Sequence, residues 1–583
     1  MGSEAKPVRQ WMTLLTVALA VVGSVGLPGP AHAAGTIEER PCPVPVPADT
    51  TCGFLLVPER RDVLGTSTIK VGFAVRRGLS DKNDPVVFAG GGPGVAATPM
   101  IGALAELAPG REIVVIEQRG GRLSEPRLPC PEIATGIVAG LKASRADEVS
   151  VAAATCRARL SADLKGYRTQ EIAADIVELR RALGYPAWNL FGVSYSTRPM
   201  LLAAAMDPAG VRSVILDSYL PESTAWYDQA VPSLRASIAK LGVTARFDAM
   251  IAQLNRRPAT MRLRDPVTQE RVEVRLAGND VATLIGEALR DTDVVPIVPA
   301  LVDGIARGDY TLIQPMVDQA GNALNSYEWG QYYAVQCQDE APSNTFADRS
   351  LITVAADATV CGQWRLPGTR PDEATTPAPV LVLGGEYDPT TPPEAARAAV
   401  QAMPNARFAE FAGIGHGVFL SSQCGRETVA AFLDDPEAKA PCDSGQRPYR
   451  NLKPGELHLT TTGYTVQGAP WLLAPLGLFL LTAAVQLLGG VLTVRRGGGY
   501  TALAGLAGLA FGGLAAVSLS AMAGGPAALG IGVPPAIVWY GLLAVASAAL
   551  SVVAAFRLRA PAISILPAAV GLIFIAWLYG WAL

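Results

Sequence analysis

The sequence predicts an α/β protein: a mostly parallel sheet with helices on both faces, a helical insertion interrupting it, and an all-α region of four transmembrane helices at the end. Three observations carry that expectation. Short β-branched runs alternate with a helix-period segment between residues 52 and 217, strand patterning fades over 221–376 and resumes at 379–383 and 407–411, and long apolar stretches collect after residue 471. Strands alternating with helices build parallel sheets covered on both faces. The late return of strand pattern therefore means one sheet with an inserted cap.

At the start, Lys6 and Arg9 precede an apolar run over 11–26, and Ala31-His32-Ala33 follows as a small-residue cleavage pattern. Segment 1–33 is expected to be a secretory signal peptide, its rival being an uncleaved anchor. The run is short for a bilayer span. In either case the next domain is exported to the cell envelope, outside the cytoplasm. All eight cysteines lie between this segment and the apolar C-terminal region. An even set in an exported segment reads as disulfides. They fall into four close couples, so the expected pairs are Cys42 with Cys52, Cys130 with Cys156, Cys337 with Cys361, and Cys424 with Cys442. A zinc site wants tighter spacing with histidines nearby, so no metal is expected.

The first part of the core, 34–220, contains strand-like runs at 54–57, 69–75, 85–88, 113–116, 189–192 and 211–216. Between them Ile172, Ile176, Leu179 and Leu183 recur at helical spacing, with Thr169 to cap the start and Gly184 to end it. The cap, 221–376, carries helical segments at 232–241, 245–255, 281–290 and 296–307, and the core resumes over 377–442. A polar linker spans 443–470.

From 471 to 583 the only ionised side chains are Arg495, Arg496, Arg557 and Arg559, which separate apolar stretches at 471–494, 501–523, 534–556 and 561–582. Each is long enough to cross a bilayer. The positive-inside tendency puts both Arg pairs in the cytoplasm and the start of the first helix outside, in agreement with an exported domain. No Asp, Glu, Lys or His marks an ion path in the spans, so an anchor or a partner-binding bundle is expected rather than a transporter. Lipid, and an unidentified membrane partner, are its expected neighbours. The net charge of -3 and the lack of a basic run exclude nucleic acid as a partner.

The chemistry begins at Gly192-Val193-Ser194-Tyr195-Ser196, which follows a strand-like run and precedes a helix-compatible stretch. That is the context of a nucleophile elbow, where a tight turn presents the serine. A serine nucleophile normally needs a neutral imidazole to take its proton. Of three histidines, His32 lies in the signal peptide and His458 in the linker, which leaves His416 in Gly413-Ile414-Gly415-His416-Gly417. The group that orients this base should follow the preceding strand, where Gly384-Gly385-Glu386-Tyr387-Asp388-Pro389 stands. Asp388 is the expected choice, with Glu386 a local competitor and Asp217 a distant one. Gly90-Gly91-Gly92-Pro93-Gly94 follows another strand, and glycines let backbone N–H groups turn toward an oxyanion. Gly92 and Tyr195 are the expected donors, with Gly91 as alternate.

Five ordered motifs, GGGPG, Glu117-Gln118-Arg119-Gly120-Gly121-Arg122-Leu123-Ser124, GVSYS, GEYDPTTPP and GIGHG followed by Cys424, resemble the proline iminopeptidase group, most closely its secreted tripeptidyl aminopeptidase branch. The resemblance covers roughly 40–442. It implies an α/β-hydrolase fold with a helical cap, no metal or other cofactor, and removal of short peptides from free N-termini. Ser196 stands where that family usually has Gly, Glu117 where it often has Asp, and the four-helix region is not part of its usual pattern. The expected function is a membrane-anchored serine aminopeptidase acting on a peptide or small acyl substrate, with Asp339 and Glu340 expected to hold the substrate ammonium. The alternatives are an esterase or lipid hydrolase of the same fold and, from another class, an inactive binding or sensing ectodomain.

Overall fold

The computed structural model describes residues 35–78, 84–108, 110–143, 147–369, 373–522, 525–558 and 561–583. The expected signal peptide at 1–33, and Arg559, lie outside these residues.

The strands of the core are β1 (Thr36–Arg40), β2 (Thr50–Pro58), β3 (Thr68–Arg76), β4 (Val86–Ala89), β5 (Ile113–Ile116), β6 (Trp188–Val193) and β7 (Val211–Asp217). In the cap follow β8 (Ala259–Arg264) and β9 (Arg271–Leu276), and then the core again with β10 (Val380–Gly385) and β11 (Ala406–Phe411). One nine-stranded sheet has the order β1-β2-β3-β5-β4-β6-β7-β10-β11. Its first pairings, out to β3 with β5, are antiparallel, and every pairing from β5 onward is parallel. The central parallel strands β4 to β7 and β10 are buried on both faces, which is why their sequences are mainly apolar. Alternate residues go to opposite sides: Leu190, Val214, Val380 and Val382 join one core, while Phe191, Ile215, Leu381 and Leu383 join the other. Helices α1 (Thr169–Leu183) and α2 (Thr197–Met206) cover the first face through Ile176, Leu179, Met200 and Leu201. Gly184 ends α1 in the left-handed region at φ 76°. Thr169 does not cap α1; that place falls to Arg168, and the Thr169 N–H and hydroxyl both donate to Asp339 Oδ2 at 2.7 Å.

Between β7 and β10 the chain builds the cap, mostly helical as expected. Its helices include Trp226–Lys240, Thr244–Arg256, Gly278–Ala288, Val298–Ala306, Gln314–Leu324, α3 (Trp329–Val335) and Ile352–Trp364. The β8–β9 hairpin is the element the sequence reading lacks. Ala259, Met261 and Leu263 are buried while Thr260, Arg262 and Arg264 are exposed, a two-residue alternation that marks a half-buried strand. Asp265 closes the turn, its Oδ1 accepting the N–H groups of Val267 and Thr268 at 2.9 Å.

All eight cysteines form disulfides, in the pairs Cys42–Cys52, Cys130–Cys156, Cys337–Cys361 and Cys424–Cys442. Four helices, α4 (Ala474–Leu492), α5 (Gly499–Ser520), α6 (Ala536–Leu558) and α7 (Pro561–Trp577), are the backbone of the C-terminal region, and four apolar spans here are long enough to cross a membrane. They pack through small residues: a Cβ on Gly490 would lie 2.2 Å from Ala502 N, and one on Gly505 2.4 Å from Ala483 O. Gln486 donates to Ser551, Ser551 to the Ser547 carbonyl and Ser547 to the Ala504 carbonyl, so a buried polar chain links α4, α5 and α6. The Arg557 guanidinium lies 5.2 Å from the Tyr500 ring centroid, which puts the end of α6 beside the start of α5 and the Arg495–Arg496 connection. The opposite end of the bundle meets the cap.

Candidate active site

Strand β6 runs into Ser194, whose φ of 59° is a left-handed conformation that an L residue adopts only under constraint. A short turn over Ser194–Ser196 then enters α2. Crowding explains the residue types: a Cβ on Gly192 would sit 2.6 Å from the Ser196 carbonyl oxygen. Ser196, where the resemblance leads one to expect glycine, is fully buried and useful. Its hydroxyl accepts the Val193 N–H at 2.8 Å and lies 2.8 Å from the Ala89 carbonyl, stitching the turn to the end of β4. The Thr197 hydroxyl donates to the Ser194 carbonyl at 2.6 Å and accepts the Leu220 N–H at 3.2 Å.

The glycine loop after β4 is held from the neighbouring strand. The Gln118 amide donates to the Gly90 carbonyl at 2.8 Å and the Gly91 carbonyl at 3.2 Å, while its oxygen accepts the Gly94 N–H at 3.2 Å. The buried Glu117 carboxylate accepts the Thr98 N–H and hydroxyl at 2.7 and 2.6 Å, even though burial pushes its carboxyl upward. Arg119 is completely buried and forms a two-pronged pair with Asp175 of α1 at 2.7 and 2.6 Å. Gln118 thus scaffolds the loop, Glu117 the turn that follows it, and Arg119 ties the same segment to α1, roles these residues had not disclosed. Gly92 adopts φ 109°, and a Cβ on Gly91 would come within 3.4 Å of the Ser194 Cβ.

Asp388 follows β10 and His416 follows β11, and the two strands pair in parallel. A Cβ on Gly385 would lie 1.9 Å from the Gly415 carbonyl oxygen, so the two loops touch backbone to backbone. His416 Nδ1 is 2.7 Å from Asp388 Oδ2. The same carboxylate accepts the N–H groups of Thr390 and Thr391 at 2.8 and 3.0 Å and the Thr391 hydroxyl at 2.7 Å. Burial alone would raise this carboxyl; the His416 ring and the Thr391 donors outweigh it and hold it below the usual carboxylate range. His416 Nε2 is buried and without a hydrogen-bond partner among the described residues.

The two competitors of Asp388 are employed elsewhere. Glu386 accepts the Gly413 N–H at 2.8 Å and pairs with Arg447 at 2.6 Å. Asp217, at the end of β7, accepts the N–H groups of Val418 and Phe419 at 2.9 and 2.8 Å, and Ser218 beside it accepts the Gly417 N–H at 2.8 Å. Burial pushes the Asp217 carboxyl up to about 6 against those two bonds. Asp217 and Ser218 therefore clamp the loop carrying His416 from the far side of β10, a positioning role invisible at a separation of two hundred residues.

Ser194, Tyr195, Gly92 and His416 all line one cavity of about 610 Å³ beneath the cap. Its walls are largely apolar, with Leu263, Val274 and Leu276 from the hairpin and Met316, Val317 and Leu324 from the helix Gln314–Leu324. Asp339 is absent from those walls: both its oxygens are taken, one by Thr169 and the other by the Thr369 hydroxyl at 3.0 Å. The expectation that Asp339 meets substrate is thereby corrected, because its carboxylate belongs to the start of α1. Glu340 does border the cavity, yet it is buried against Arg198 at 2.6 Å and accepts the Trp226 N–H at 2.9 Å. Three acids on the cavity wall were not among the sequence candidates, Glu287, Asp291 and the buried Asp357. Asp357 accepts the hydroxyls of Tyr227, Tyr332 and Tyr333 at 2.9, 2.7 and 2.8 Å, burial pushing its carboxyl up to about 6. Among the described residues no cluster of His, Cys, Asp and Glu is arranged to hold a metal ion.

The chain is similar in structure to a proline iminopeptidase from Mycobacterium smegmatis, at 17% identity over 65% of this chain and 97% of that one, with a TM-score of 0.34. It is likewise similar to an E-2-(acetamidomethylene)succinate hydrolase at 17% identity, 65% and 98% coverage and TM-score 0.30. A thermophilic esterase from Thermogutta terrifontis matches at 15% identity, 66% and 99% coverage and TM-score 0.32. No curated protein sequence matches the chain. The family model described as alpha/beta hydrolase fold matches residues 84–423, more than half of the 583, and the chain therefore belongs to the alpha/beta hydrolase fold family.

Proposed function

We propose that the chain is an exported, membrane-anchored serine hydrolase that removes short peptides from free N-termini through an acyl-enzyme. The observation that carries the hydrolytic reading is the meeting, in one cavity, of a serine in a constrained turn with an unpartnered imidazole nitrogen whose ring is held by a buried carboxylate. In the proposed reaction His416 Nε2 takes the Ser194 hydroxyl proton as Oγ bonds to the substrate carbonyl carbon. The resulting oxyanion accepts the Gly92 and Tyr195 N–H groups, with Gly91 as alternate. The C–N bond then breaks, the proton passes to the leaving amine, and water repeats the sequence to free the acyl group.

Charge supports a substrate with a free ammonium. The cavity borders on the carboxylates of Glu287, Asp291, Glu340 and Asp357 against the single guanidinium of Arg290. Glu340 is committed to Arg198, and both oxygens of Asp357 are taken by tyrosine hydroxyls, so we assign Asp357 to the substrate N-terminus through its charge rather than through a direct hydrogen bond. The four disulfides and the four membrane-capable helices support a catalytic domain held outside the cytoplasm.

The test is a substrate panel on the full chain in detergent, with Ser194→Ala as control. Tripeptidyl amides with a free N-terminus should turn over faster than their N-acetylated forms and faster than simple acyl esters. A preference for esters, with N-acetylation making no difference, would replace the aminopeptidase by an esterase. Failure of Ser194 to form a fluorophosphonate adduct would leave only a binding module.

A further inference from the structure

The linker and the connection between α5 and α6 do not hang free of the catalytic domain. Leu452, Leu457, Ala528 and Ile531 belong to the same buried apolar cluster as the cap helices, and Leu459, Met522 and Ala527 pack against it. Backbone bonds reinforce the contact. The Leu452 N–H donates to the Pro296 carbonyl of the cap at 2.8 Å. A short strand, His458–Leu459, pairs antiparallel with Gly532–Val533 from the connection between α5 and α6. Leu459 rests on the cap helix Val298–Ala306, where a Cβ on Gly304 would lie 2.5 Å from its Cδ1.

One contact reaches the cavity wall. Tyr464, in the short helix Thr462–Gly468 that leads into the first span, donates its hydroxyl to Asp318 Oδ2 at 2.5 Å. Asp318 also accepts the Gln314 amide at 3.1 Å. Both lie on the helix Gln314–Leu324, and the same helix supplies Met316, Val317, Ala320 and Leu324 to the cavity. One side of this helix thus faces the substrate space while another is fastened to the juxtamembrane segment. The Tyr464 bond adds to two that hold the helix from the hairpin side, where Gln314 accepts the Arg262 N–H at 3.1 Å and donates to the Arg262 carbonyl at 2.6 Å.

We infer that the juxtamembrane segment positions one wall of the substrate site: through Tyr464 and Asp318 it holds the helix Gln314–Leu324, and so sets selection for substrates whose acyl portion is apolar. The inference rests on the hydrolase reading of that cavity. Tyr464 and Asp318 are positioning residues, because neither lines the space itself. The acyl portion they select is a segment with apolar side chains, the kind that also partitions to a membrane surface, where the bundle keeps the enzyme.

The test compares the full chain in detergent with Tyr464→Phe, both in the Ser194→Ala background so that binding is read without turnover. Trp226 and Trp329 line the cavity and report occupancy by fluorescence quenching. Trileucine amide and triglycine amide are the probes. Tyr464→Phe should weaken trileucine amide about tenfold and triglycine amide by less than about twofold. With Ser194 restored, KM for the apolar substrate should rise by the same factor while kcat holds. Asp318→Ala, which removes the same contact from the cap side, should give the same split. Equal affinity of parent and variants for trileucine amide, or equal weakening of both probes, overturns the inference. An unlabelled Ser194 would sink the hydrolase reading alone, since the binding comparison does not depend on it.

Discussion

The two walls of the cavity are held by different physics. On the core side, Ser194, Asp388, His416 and the Gly90–Gly94 loop all stand at the ends of parallel strands, and backbone contacts define them: a glycine that a Cβ would push off a carbonyl, a carboxylate seated on N–H groups. On the cap side, Asp357, the hairpin and the helix Gln314–Leu324 are held by side-chain packing and by tyrosine hydroxyls from distant segments. The comparison teaches that the two walls have separate supports, so substitutions on the two sides should have separable effects.

The largest effect belongs to the core wall. Asp388→Asn keeps the shape but lets the imidazole take the wrong tautomer, and kcat for a good amide substrate should fall about 10⁴-fold with KM little changed. A loss below tenfold would show that another group orients the base. Next comes Asp217→Asn, which cannot accept both N–H groups that hold the His416 loop; displacement of the base by even an ångström should lower kcat by about 100-fold. The carboxyl titrates near 6, above its ordinary 3.8, so it takes up a proton as pH falls through about 6 and loosens its hold. In a pH–rate profile wild-type activity should therefore decline more steeply than the variant's as pH drops through about 6. For stability the sign is opposite: the raised value makes the charged form a cost above 6, relieved as pH drops from about 6 toward 3.8.

The cap wall should answer differently. Asp357→Asn removes the charge but leaves the tyrosine contacts room to form, and KM for free N-terminal peptides should rise about tenfold with kcat unchanged. An equal effect on N-acetylated substrates would break the link to the ammonium. The smallest expected change returns to the core. Ser196→Ala strands the buried Val193 N–H and should cost about 1 to 3 kcal/mol of stability, measured by denaturant unfolding, with only a few-fold loss of rate. Unchanged stability would mean that the turn does not need the stitch to β4.

Legibility follows the same division. The order of motifs, the strand-end positions of Ser194, Asp388 and His416, and the four cysteine couples were readable because each is a local pattern: a turn residue beside a strand, or a pair close in the chain. The β8–β9 hairpin was readable in principle from the alternation at 259–264, but it was masked by the helices around it. Asp339 was misread for lack of its partner, since nothing near Cys337 reveals that Thr169 will occupy it. The clamp of Asp217 and Ser218 on residues 417–419, and the three tyrosines on Asp357, join segments with no shared pattern.

By itself the sequence determined the class of fold, the four apolar spans and the strand-end positions of Ser194, Asp388 and His416, because periodicity, turn chemistry and hydropathy are carried by neighbours in the chain. Only the tertiary structure decided which acids face the cavity and which are consumed by Thr169, Arg198 or Arg447, because a carboxylate's role depends on the donors that reach it. It also decided that the cap and the membrane region share a core, since apolar packing is non-directional and Leu452, Leu457, Leu459, Met522, Ala528 and Ile531 name no partner until the chain has folded.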